Sequence, residues 1–112
     1  MDDIVIFITT SEEDEAAKIA KELVEARLAG CINIIKDIRS IYRWEGKIED
    51  ESEVLMIAKT QKSLFNAFVK KVKEIHSYTV PEIIALPVVE GSEDYLKWLR
   101  EVTGISSSVQ KD

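Results

Sequence analysis

The order of apolar patterns in this 112-residue chain predicts an α+β fold of the ferredoxin-like, split βαβ type. It is a sandwich with a long hairpin between the second and third strands and an extra C-terminal helix. Three observations predict it. Strand-like and helix-like stretches alternate as strand, helix, strand, strand, helix, strand, helix. The stretch Cys31–Trp44 is strand-like over 14 residues and is answered across Gly46 by Val54–Ala58. The stretches Ile4–Ile8, Val54–Ala58 and Ile83–Val89 are apolar at successive positions, as in strands with both faces covered.

The first strand, Ile4–Ile8, continues into the β-branched Thr9 and Thr10. Ser11 is a good N-cap, and Glu12–Glu15 occupy the first turn, where the helix dipole favours acids. Four acids there read as a solvated turn rather than a metal site. Ala16, Ile19, Ala20, Leu23, Ala26 and Leu28 form the apolar stripe, and Gly30 is the expected stop. The outgoing hairpin arm, Cys31–Trp44, would run roughly 45 Å at about 3.3 Å per residue. That is more than twice an ordinary strand, so its tip should project beyond the core. Glu49–Glu53 reads as an acidic bend.

Thr60 or Ser63 can cap the second helix, whose stripe of Leu64, Phe65, Phe68, Val69, Val72 and Ile75 ends near His76. Ser77–Pro81 is a connector, because a residue preceding proline avoids helix. Glu82–Val89 is the last strand, and Pro87 demands an edge or a bulge. A third helix starts at Gly91–Asp94, carries Tyr95, Leu96, Trp98, Leu99 and Val102, and stops at Gly104. Residues 1–104 make one domain, and Ile105–Asp112 is expected to be a frayed tail.

Right-handed crossovers place the first two helices on one face of the sheet. The other face is nevertheless apolar, and leaving it wet would forgo on the order of ten kcal/mol at about 25 cal/mol per Å². A partner copy is the simplest remedy, so a homo-oligomer is expected. The net charge of -6 with no basic patch argues against nucleic acid. No apolar run spans a bilayer. The acidic start Met1-Asp2-Asp3 lacks a signal-type n-region, and the single Cys31 suits a reducing compartment, so the cytoplasm is expected. No Ser-His-Asp set, phosphate loop or zinc spacing points to an enzyme.

Several fragments in order resemble the CutA divalent-cation-tolerance family. They are Arg27-Leu28-Ala29-Gly30-Cys31-Ile32-Asn33, Tyr42-Arg43-Trp44-Glu45-Gly46-Lys47-Ile48, Glu53-Val54, Lys59-Thr60, His76-Ser77-Tyr78-Thr79-Val80-Pro81-Glu82 and Tyr95-Leu96-Lys97-Trp98-Leu99. The resemblance runs from Ile4 to about Val102. It implies a ferredoxin-like protomer in a homotrimer, with a role in divalent metal tolerance. Copper is the ion most often named, and no cofactor is required. Some bacterial members credited with copper binding carry a cysteine where this chain has Thr9 and a second histidine where it has Ile75; the family's usual proline after the histidine is Ser77 here.

With one cysteine, one histidine and two methionines, a closed intrachain copper site is not expected. Candidate metal ligands are His76, Glu82 and Cys31, shared at a subunit interface. The competing readings are a helix-terminating His76 bonded near Pro81 and a Cys31 that is simply a small buried hydrophobe. Tyr42, Trp44, Tyr78 and Trp98 are expected to anchor subunit contacts. The rival function is a PII-like signalling or scaffolding trimer that binds a small molecule or unknown protein partners.

Overall fold

The computed structural model describes residues 2–104, so the expected tail, 105–112, lies outside the described residues. The elements are β1 (Asp3–Thr10), α1 (Glu13–Glu25), β2 (Cys31–Trp44), β3 (Lys47–Gln61), a 3-10 turn (Lys62–Leu64), α2 (Phe65–Ile75), β4 (Ile83–Pro87) and α3 (Glu93–Val102). The sheet order is β2-β3-β1-β4, with every pairing antiparallel. The ferredoxin-like expectation holds.

Ile4, Ile6 and Ile8 on β1 and Val54, Met56 and Ala58 on β3 point to the helical side. There they meet Ala16, Ile19 and Leu23 of α1 and Phe68 and Val72 of α2, and all of these are buried. The alternate residues form a second apolar face. Phe7 pairs with Ile57 on one side and Ile84 on the other, and Val5 pairs with Leu86. Ile35, Ile84 and Leu86 are 43%, 53% and 50% exposed there. α3 covers only one end of this face, where Arg100 bonds Asp3 at 3.2 Å and Tyr95 reaches Cys31.

The hairpin is longer than the acidic residues suggested. Glu49–Glu53 is not a bend but part of β3, which runs 15 residues. Two left-handed residues, Glu45 (φ 50°) and Gly46 (φ 79°), close a two-residue turn. That turn locks Tyr42 opposite Glu49 and Ile38 opposite Glu53. A bulge between Ile35 and Ile38, with Asp37 at φ 62°, bends β2 where it leaves the core. Lys47–Glu53 pair with β2 alone, since the pairing of β3 with β1 ends at Val54.

Helix ends differ from the expected caps. α1 begins after Glu12, without a side-chain cap from Ser11, and the Thr10 hydroxyl bonds the Glu12 carbonyl instead. It closes at Glu25 rather than near Gly30, because Arg27 turns left-handed and the Leu28 N–H returns to the Leu23 carbonyl. Arg27 accepts that conformation because its guanidinium bonds the carbonyls of Glu101 and Gly104, at the end of α3. Gly30 serves close packing: a Cβ there would lie 2.6 Å from Leu99 Cδ1. Neither Thr60 nor Ser63 caps α2; the buried Thr60 hydroxyl bonds the Leu28 carbonyl. β4 is shorter than Glu82–Val89, and Pro87 sits at the sheet edge opposite Ile4.

Candidate functional site

A cleft of about 880 Å³ opens between the hairpin and the loop that follows α2. Its floor is one face of the hairpin. Strand alternation and the hairpin register put Glu49, Glu51 and Glu53 on that face with Tyr42 and Ser40. Its wall is the 77–82 loop, which contributes Tyr78, Val80 and Glu82, and Thr9 closes the end nearest the core. By register, Thr9, Glu53 and Leu55 all lie on the side of the sheet away from α1 and α2. The cleft therefore borders the second apolar face.

Hydrogen bonds order the cleft. The Tyr42 hydroxyl donates to Glu51 and the Tyr78 hydroxyl to Glu53, both at 2.6 Å. The bond to Glu51 holds the Tyr42 phenol up at about 12. Burial, then the bond to Glu53, raises the Tyr78 phenol as well. Glu82 is pushed above the usual carboxylate range by desolvation and then by Glu53. On the opposite face of the hairpin, by the same alternation, the Arg39 guanidinium is bidentate to Asp50. That pair lowers the Asp50 carboxyl.

His76 lies behind the wall. Its side chain is fully buried; Nε2 is 2.8 Å from the Thr9 carbonyl and Nδ1 accepts the Tyr78 N–H at 3.0 Å. A carbonyl only accepts and an amide only donates, so Nε2 carries the proton and Nδ1 is bare. Both ring nitrogens are thus engaged, and Glu15 stands 3.6 Å from Nδ1. His76 also stacks on Tyr78, with ring centroids 4.7 Å apart.

The expected site residues fall in different places. Glu82, Tyr42, Trp44 and Tyr78 line the cleft together. Cys31 starts β2 beside α3, where Trp98 packs at 5.4 Å on Tyr95. Among the described residues, no three His, Cys, Asp or Glu side chains converge to hold a metal ion. Thr9, Glu51 and Glu53 form one surface that the sequence did not make plain. Acids at alternate positions were the signal, and it becomes visible once the run is taken as strand.

A model of the CutA1 family, described as CutA1 divalent ion tolerance protein, matches residues 4–102. The chain belongs to the CutA1 family. A CutA1 relative, the divalent-cation tolerance protein CutA of Thermus thermophilus, is 50% identical over 100 residues, covering 89% of this chain and 97% of that protein. Human protein CutA is 51% identical over 104 residues, but the match spans 92% of this chain and only 58% of the human protein. Among solved CutA1 structures, the Thermus thermophilus protein superposes with a TM-score of 0.89 at 49% identity, covering 91% of this chain and 99% of that one. CutA1 from Oryza sativa gives 0.90 at 40% identity, covering 95% and 97%. The Thermus thermophilus relative is named for divalent-cation tolerance rather than for a reaction. No helix among the described residues is long and apolar enough to cross a membrane.

Proposed function

We propose that this CutA1 chain works as a homotrimer in the tolerance of divalent metal ions, copper among them, in the reducing cytoplasm. The observation that carries the reading is the second sheet face. Phe7, Ile57, Ile84 and Leu86 form an apolar surface that α1 and α2 leave uncovered. Burying the larger of these side chains is worth about 1.5–3 kcal/mol each, which drives copies together. Tyr42, Trp44 and Tyr78 rim the adjoining cleft and Trp98 stands on α3, as side chains that anchor subunit contacts do.

On this reading metal contact is weak and shared between copies. Glu82 is the best-placed donor, a carboxylate on the cleft wall beside Glu53. His76 joins only by releasing the Tyr78 N–H from Nδ1, and Cys31 lends a thiol from a separate part of the surface. The engagement of His76 favours a second reading, a PII-like trimer whose clefts take a small molecule or a protein partner.

Sedimentation equilibrium combined with copper titration calorimetry tests both. The expected results are a mass of three chains, its collapse to one on Phe7→Asp, and copper heats that Glu82→Gln removes. A wild-type monomer at micromolar concentration would overturn the assembly. A trimer silent to copper would overturn the metal contact and leave the second reading.

A further inference from the structure

We infer that α3 is a hinged cover over one end of the second sheet face, held down by two polar clasps and able to lift while the rest of the fold stays intact. The inference goes beyond the metal-tolerance reading and does not depend on it. Its first support is the way α3 packs. Leu96 and Leu99 are buried, yet they stand outside the core that β1, β3, α1 and α2 share. Leu99 rests on Gly30 and Leu96 on Gly91, where a Cβ would lie 2.6 Å and 3.1 Å from the leucine. A satellite cluster of this kind can open apart from the main core. A hinge is in place. Val88 is pinned by its N–H bond to the Asp3 carbonyl, and the exposed connector Val89–Ser92, with Gly91 in it, leads from there into α3.

The second support is the clasp at Arg27. α1 ends in a capping turn in which the Arg27 N–H bonds the Val24 carbonyl and the Leu28 N–H bonds the Leu23 carbonyl. Arg27 holds the left-handed position that glycine favours in such a turn. What the arginine gains lies on α3. Its Nε and Nη2 donate to the Gly104 and Glu101 carbonyls at 2.7 and 2.8 Å, and its own carbonyl accepts the Gly104 N–H at 2.8 Å. The guanidinium thus sits at the negative end of the α3 dipole. Backbone strain that a second element holds in place is free to relax when that element leaves.

The third support is the clasp at Asp3. Alternation along β1 puts Asp3 on the second face with Val5 and Phe7. Its carboxylate is fully buried there and accepts from Gln61 at 2.8 Å and from Arg100 of α3 at 3.2 Å. A buried ion pair adds less to net stability than its geometry suggests, and here it selects one seating of α3. With α3 lifted, water reaches the carboxylate, so opening strands no buried charge. α3 crosses the end of the sheet from Asp3 on β1 to Cys31 on β2, which Tyr95 contacts. Lifting it bares the row of Cys31, Lys59 and Val5 and lengthens the apolar face by that end.

The test is deuterium exchange of the purified full chain, read amide by amide by NMR at one fixed protein concentration. The rate at which N-ethylmaleimide labels Cys31 is measured alongside. Arg27→Gly removes the clasp and leaves the residue that the turn prefers, so α1 and the core should hold. In this variant the Leu96–Val102 amides should exchange at least about tenfold faster and β1 amides less than about threefold faster, with Cys31 labelled at least about threefold faster. Asp3→Asn, which keeps the side-chain shape and removes the charge, should act in the same direction. Thermal melts establish that both variants fold. Unchanged α3 amides in both folded variants would overturn the inference. So would α3 and β1 amides quickened by the same factor, or Cys31 labelling that stays constant while α3 opens. Loss of the whole fold in Arg27→Gly would show that α3 does not lift alone, and would overturn it too.

Discussion

Replacing His76 with alanine should destabilise the protein strongly, because this side chain is structural. The imidazole is fully buried and bridges two backbone groups from different elements, the Thr9 carbonyl of β1 and the Tyr78 N–H of the loop. Its loss leaves the Thr9 carbonyl without that donor, at about 1–3 kcal/mol. The Tyr78 N–H is only part-buried, and water can replace its acceptor at smaller cost. The emptied ring space adds a cavity contribution on the scale of other large-to-small core changes, for a total of about 2–5 kcal/mol. That is a large share of the roughly 5–15 kcal/mol that stabilises a typical domain. Urea denaturation followed by tryptophan fluorescence, at one fixed protein concentration, measures the change as a lower midpoint. A loss below about 0.5 kcal/mol would refute the reasoning. It would mean that the buried bridge contributes little and that His76 is free for another role.

Two further outcomes are expected. Gly30→Ala should cost about 1–3 kcal/mol by forcing Leu99 aside, and the cost should shrink in a Leu99→Ala background; equal costs in both backgrounds would disprove the contact. Glu82 has a folded-state pKa raised above its unfolded value, so its ionised form opposes folding. The penalty is absent below the unfolded value of about 4.3 and grows as pH rises through the raised value, so Glu82→Gln should gain stability over wild type between acid and neutral pH. Paired melts at pH 4 and pH 7.5 measure this, and a gap that stays constant or reverses would contradict the desolvated site.

Much of the fold was legible because its signals are local. Apolar residues at strand or helix spacing located β1, α1, α2 and α3, and the successive apolar positions of β1 and β3 marked a sheet that is apolar on both faces. What escaped was set at a distance. α1 ends early because Arg27 bonds the Gly104 carbonyl, 77 residues along the chain, and no neighbouring residue signals that. The run Glu49–Glu53 is poor in strand-forming residues; cross-strand partners such as Ile38 and Tyr42, imposed by the Glu45-Gly46 turn, hold it extended. The expectation that His76 would end its helix was closer to its geometry than a free imidazole, since it is the C-cap of α2 and points inward. The candidate cleft was only half visible: its aromatic rim was named, while its acidic floor was hidden in a run that resembles a bend.

The outer half of the hairpin carries a further consequence. Lys47–Ser52 has one strand beside it and no core beneath it, and an isolated two-stranded hairpin is marginal in water. In a lone copy its amides should exchange with solvent at rates close to those of an open chain, while those of β1 remain slow. Any slowing at Lys47–Ser52 must then come from a neighbour, and deuterium uptake at six consecutive amides becomes a clock for how long copies stay together.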